Sequence, residues 1–148
     1  MSVTLACMPR NPAALTALVA QLNVTNDERY LPAKGLTWCN RYVADFTSAL
    51  GCPVPFRLAN AQVLWLDSIE AGMDQWERVS YVEALAAVEK GEVVVVGWFN
   101  PDGHGHVAVG VPAPGVELHI SQAGSRNFAS KPVSSGFGSH AVKIWRHR

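Results

Sequence analysis

The run EVVVVGWF, residues 92–99, constrains the fold more than any other part of the chain. It is β-branched and almost wholly apolar, which marks a buried central strand. A meander follows it. NPDGHG places Pro, Asp and Gly in turn positions. HVAVGV is a second strand, PAPG a turn and VELHIS a third strand. AVKIW closes the chain as a last strand, and the tail WRHR after it is expected to be solvated trim. Between them, QAGSRNFASKPVSSGFGSH is rich in glycine and serine and is expected to be mostly loop.

The first half is helical. Asn11-Pro12 supplies an N-cap and a proline at the first helical position. Leu15, Leu18, Val19 and Leu22 then recur at helical spacing over residues 12–23. A polar loop, NVTNDERYLPAKGLT, is broken by Pro32 and Gly35. A second helix runs from Cys39 to Leu50 and stops at Gly51, since CPVPF cannot continue it. Asn60 is expected to cap a third helix, AQVLWLDSIEAG, ending at Gly72. WERVS is a short strand. YVEALAAVEKG is a fourth helix with Val82, Leu85, Ala86 and Val88 inward, stopping at Gly91. Helices before a strand meander define an α+β chain with N-terminal helices packed on a central antiparallel sheet, not alternating βαβ units. The length of 148 residues fits one domain.

Hydrophobic residues make up 49% and charged residues 16%, enough apolar material for a core and too little charge for a disordered chain. Twelve basic and twelve acidic side chains cancel, which argues against electrostatic capture by nucleic acid or an anionic membrane. The cysteines are Cys7, Cys39 and Cys52; an odd number excludes a full disulfide framework. No C-x-x-C or paired Cys/His spacing offers a metal site. No basic segment precedes the first apolar residues, so no signal peptide is expected. VVVVGWF is too short to span a bilayer, so no membrane insertion is expected either.

Among the thiols, Cys39 stands out. Cys39, Val43, Phe46 and Leu50 form one helical stripe, which turns the cysteine inward at the mouth of its helix. Unpaired N–H groups and the helix dipole there favour an anion, so a thiolate is expected to be stabilised. The same N–H groups can receive an oxyanion. The alternative is a small buried apolar residue.

A nucleophilic thiol needs a base. His106 opens its strand directly after a glycine-rich turn. Its strand face continues through the small residues Ala108 and Gly110, which would let a cysteine-bearing helix approach. A group on the next strand would orient the imidazole. Pairing His106 opposite Gln122 favours that residue. Other registers favour Ser121 or His119, and the residues leave all three open.

TWCNRYVADFTSALG together with GHGHVAVGV resembles the papain-like cysteine peptidases of the NlpC-type and CHAP amidohydrolase group. ANAQVLWL and EVVVVGWF are similar to small bacterial cell-wall amidases, notably type VI secretion amidase effectors and phage-type lysins. The likeness covers residues 30 to 124. It implies a papain-like fold with the nucleophile at a helix N-terminus, Cys39 as nucleophile and His106 as base and acid. QAG occupies the place of the third polar group, which selects Gln122. Relatives carry Ser or Ala where this chain has Asn40, and His, Asn or Glu at the third position.

The resemblance implies a peptidoglycan amidase or endopeptidase cleaving stem peptides, with no metal and no organic cofactor. Trp38, Tyr30, Asn40 and His104 are the expected substrate-binding residues, on or beside loops that wall the cleft. The chain is expected to be monomeric, to bind no nucleic acid, and to leave the cytoplasm through a secretion machine or phage lysis. An exported toxin would need a neutralising immunity protein. The competing readings are a papain-like toxin acting on a host protein, by proteolysis or deamidation, and a non-catalytic peptide-binding module.

Overall fold

The computed structural model describes residues 9–148, so Cys7 and the start of the apolar N-terminus lie outside the described residues. The chain is α+β. In order it forms α1 (Pro12–Leu22), α2 (Cys39–Ala49), α3 (Ala59–Leu66), α4 (Ile69–Met73), β1 (Trp76–Val79), α5 (Tyr81–Glu89), β2 (Val93–Trp98), β3 (His106–Val111), β4 (His119–Gln122), β5 (Phe128–Pro132), α6 (Val133–Phe137) and β6 (Lys143–His147).

The strands make one six-stranded sheet in the order β1-β6-β2-β3-β4-β5, with every neighbouring pair antiparallel. β2 lies in the interior, as its composition requires: Val93 to Val96 are all fully buried. Alternation divides the sheet into two faces. Val93, Val95, Val107, Val109 and Trp145 pack under residues of α1, α2 and α3. Val94, Val96, Ala108, Ile120 and Ile144 pack under α5 and Phe137 of α6. Among the described residues no helix is long and apolar enough to cross a membrane.

Several boundaries differ from those the sequence predicts. The single third helix is two, α3 and α4, and Ser68 caps the second by accepting from the Ala71 N–H at 3.2 Å. Asn60 is not a cap; α3 begins one residue earlier, and Asn60 serves a tertiary role described below. Helix α5 turns Ala84, Ala87 and Val88 inward, while Val82 is 75% exposed. A capping box between Ser80 and Glu83 sets where that helix starts. Its alanines allow close contact: a Cβ on Gly110 would lie 3.0 Å from Val88. The glycine- and serine-rich segment is not mostly loop, because it contains β5 and α6. The tail is not trim either. Arg146 and His147 belong to β6, and Arg146 binds Glu77 on β1 at 2.7 Å.

The turn after α5 is tightly fitted. Gly91 has φ +83°, and a Cβ there would fall 2.2 Å from the Asn11 Cα. Asn11 is the N-cap of α1, accepting from the Ala14 N–H at 2.8 Å. Gly91→Ala therefore combines left-handed strain with a backbone clash. The expected loss is about 3 kcal/mol of folding free energy, read as a lower urea midpoint at unchanged slope.

Candidate active site

Cys39 is the first residue of α2 and is 7% exposed. Its helix stripe runs as the periodicity predicts, with Val43, Phe46 and Leu50 buried beside it. Trp38 occupies the N-cap and offers no side-chain acceptor, so the helix mouth is not capped from within. The backbone N–H groups of Val107, Asn40 and Cys39 itself lie near enough to the sulfur to favour its anion.

Burial nonetheless outweighs those donors and raises the thiol above its ordinary 9.0, so Cys39 rests as a neutral thiol. This corrects the expectation of a stabilised thiolate: a helix terminus stabilises an anion only to the extent that desolvation does not cost more. Cys52 is also buried and free, and burial pushes it up to about 11.

A cleft of about 170 Å³ opens onto Cys39. Leu36 and Trp38 wall it on one side, Leu58 and Ala59 on another, and His104 and Gly105 close it. Asn40 also lines it and donates its amide to the Arg57 carbonyl at 2.9 Å. Tyr30 does not reach the cleft. It is fully buried, edge-on to Tyr42, with its hydroxyl donating to Asp45 at 2.5 Å, so its role is packing. A roomier apolar cavity of about 300 Å³ lies at the other end of β3, beside Val111, and contains no titratable side chain.

His106 begins β3, and its imidazole bonds Gln122 at 2.7 Å between Nε2 and Oε1. The register is none of the three that the sequence left open. Val109 pairs with Ser121 and Gly110 with Ile120, which moves the partner of His106 two residues beyond Gln122. A shift of two preserves the face, so Gln122 still meets the ring diagonally. Ser121 points to the other face and bonds the Tyr42 hydroxyl at 2.7 Å, while His119 sits at the far end of β4 opposite Val111.

The Gln122 amide is locked. Its Nε2 donates to the Arg126 carbonyl at 2.9 Å. A carbonyl can only accept, so the amide nitrogen must face it and Oε1 must face the imidazole. Oε1 in turn requires a proton on Nε2 of His106, which leaves Nδ1 with a free lone pair. Burial lowers the imidazole below its ordinary 6.5 despite the opposing bond from Gln122. The ring is therefore neutral at pH 7 in the tautomer that a general base needs.

Gly136 of α6 packs against the same amide. A Cβ there would lie 2.1 Å from Oε1 of Gln122. Gly136→Ala is expected to displace the amide and release the tautomer, lowering any turnover that depends on it by about tenfold to a hundredfold. It should also cost about 1–3 kcal/mol of stability, because the same Cβ would lie 2.9 Å from Ile120 Cδ1. Turnover and thermal unfolding of the same sample check this.

The thiol and the imidazole reach the start of β3 from its two faces. Cys39 belongs to the core beneath α2 together with Val107, whereas His106 packs on Phe137 of α6 at 4.8 Å between ring centroids. This corrects the expectation that α2 lies on the small-residue face of Ala108 and Gly110, which α5 takes instead. Among the described residues no hydrogen bond joins the sulfur to the His106 ring; the sulfur meets the N–H of the next residue, Val107.

Asn60 holds the turn between them. Its Nδ2 donates to the Asn100 and Gly103 carbonyls, and its Oδ1 accepts from the Asn100 N–H, each at 2.9 Å. Gly105 must lack a side chain there, because a Cβ would fall 2.3 Å from Asn60 Oδ1. Nothing local in the sequence marks Asn60 or the Arg126 carbonyl for these roles. Gly136 carries a weak signal, since glycine permits close backbone approach.

Among the described residues no group of three or more His, Cys, Asp or Glu side chains is placed to hold a metal ion. A comparison with protein-family models finds no match, and a search of curated proteins finds no significant relative.

Proposed function

We propose that the protein is a papain-like cysteine hydrolase that cleaves amide bonds of peptidoglycan stem peptides, with Cys39 as nucleophile, His106 as base and Gln122 as the group that orients it. One observation carries the reading: an uncapped helix mouth presents a thiol at the start of the strand whose first residue is a tautomer-locked histidine. Metal-free acyl transfer needs those parts in that neighbourhood.

The sulfur adds to the amide carbonyl carbon as the thiol proton passes to Nδ1 of His106. The oxyanion is received by N–H groups at the helix mouth, those of Cys39 and Asn40 being the nearest. The tetrahedral centre collapses, the C–N bond breaks, and His106 returns its proton to the leaving amine. Water, deprotonated by His106, then attacks the thioester; the acid is released and the thiol reforms. Burial raises the thiol and lowers the imidazole, which favours the neutral form of each before substrate arrives. Because the sulfur and the ring approach the start of β3 from opposite faces, the proton transfer between them requires the imidazole to swing around the end of the strand toward the Cys39 cleft.

The apolar walls Leu36, Trp38 and Leu58 suit a peptide with small uncharged side chains near the scissile bond. An enzyme of this kind acts outside the cytoplasm, and a neutralising immunity partner would work by covering the Cys39 cleft.

The test is mass spectrometry of purified sacculi after incubation. New free amino and carboxyl termini on stem peptides, lost after iodoacetamide labels Cys39, are expected. Intact stem peptides from a folded protein would overturn the reading, and cleavage of a protein substrate instead would move it to the toxin class.

A further inference from the structure

A second polar pocket of about 430 Å³ lies on the far side of Gln122, between β5 and α6. Arg126, Asn127, Phe128, Lys131 and Ser135 line it. Its charge is one-sided. Two cations enter it and no carboxylate does, on a chain whose formal charges cancel. Among the described residues neither Arg126 nor Lys131 forms an ion pair, as is also true of Arg10, Lys34, Arg41, Arg57 and Lys90.

Asn127 is fully engaged elsewhere: its Oδ1 accepts from the Gly124 N–H, and its Nδ2 donates to the Val24 and Tyr30 carbonyls. It fixes the loop and leaves the guanidinium, the ammonium and the Ser135 hydroxyl as the free donors. Lys131 is held 5.4 Å above the Phe128 ring, which places its stem against an apolar floor.

The pocket is also tied to the candidate site. The backbone carbonyl of Arg126 locks the Gln122 amide, and Ser135 directly precedes Gly136, which packs on that amide.

We propose that this pocket binds a carboxylate of the peptide substrate, with Arg126 and Lys131 as the charged donors and Ser135 as a neutral one. The proposal rests on the peptide-hydrolase reading above. A carboxylate fits because both charged residues lining the pocket are cations, and each can give a carboxylate oxygen a charge-assisted bond. The pocket thereby gives the enzyme a reason to choose acidic peptides, which the apolar walls around Cys39 do not.

The first measurement is a titration of the isotope-labelled wild-type protein with glutarate, a bare dicarboxylate, followed by NMR. Saturable shifts at residues 126, 131 and 135 are expected, and they should vanish in the Arg126→Ala/Lys131→Ala double variant. The second uses Cys39→Ala protein as a non-turnover host for soluble stem peptides, in free-acid form and with their carboxylates amidated. The free acid should bind about tenfold tighter or more, the factor that one such charged bond supplies. The double variant should erase that preference. Absence of saturable glutarate shifts, or an equal affinity for acid and amide, would overturn the pocket. Glutarate binding without any binding of stem peptides would keep the anion pocket and sink the cell-wall reading instead.

Discussion

Cys39→Ala removes the proposed nucleophile and is expected to abolish the proposed stem-peptide cleavage, by about four orders of magnitude or more. The loss is in kcat, because the sulfur makes its covalent bond only along the reaction path. Substrate affinity should hold, since the cleft walls of Leu36, Trp38 and Leu58 are untouched. Folding should hold as well. The change deletes one sulfur at the edge of the core, where a cavity can be filled from the cleft, so about 1 kcal/mol or less is expected. Fragment release measured beside thermal unfolding separates the two effects. Undiminished cleavage by a folded alanine variant would leave no cysteine mechanism standing.

His106→Ala should lower kcat by about a hundredfold to ten-thousandfold, the usual contribution of a positioned general base. The control is His104, the imidazole that lines the Cys39 cleft itself. His104→Ala is expected to act on KM, since His104 is an exposed turn residue whose carbonyl, not its ring, is held by Asn100. A larger kcat loss from His104 than from His106 would reassign the base.

The pH profile bears on the same pair. The reactive form is neutral thiol with neutral imidazole. The imidazole is lowered from 6.5, so protonation switches the enzyme off only as the pH falls below that value. The thiol is raised from 9.0, so the alkaline limb lies above that value. A broad plateau from below pH 6.5 to above pH 9 is expected in kcat/KM, with the acid limb missing in His106→Ala. A resting ion pair would instead set the acid limb by a depressed thiol and the alkaline limb by an elevated imidazole.

Much of the frame was legible before any coordinates. Proline and asparagine at the start of α1 and glycine at the end of α2 mark helix ends because each satisfies or permits one specific backbone state. β3 runs over the residues its composition predicts, His106 to Val111. The inward turn of Cys39 follows from its spacing to Val43, Phe46 and Leu50, because helical periodicity is a local property.

Other features were not legible because they depend on partners distant in the chain. Val82 sits on the solvent side of α5 because Ala84, Ala87 and Val88 are the residues that pack on the sheet beneath it. The segment after Gln122 becomes β5 because an edge of β4 is there to pair with it, with a register slip between Ile120 and Gln122. Its own glycines and serines carry no such signal.

The sequence by itself determined that a cysteine stands at a helix mouth and that a histidine opens a buried strand. Tertiary structure alone decided on which side of β3 each of them lies. Alternation within β3 assigns His106 and Val107 to opposite faces, but which face receives α2 depends on packing across the whole sheet. The tautomer of His106 depends on a backbone carbonyl, that of Arg126, and every residue type carries the same carbonyl. No reading of side chains could single it out.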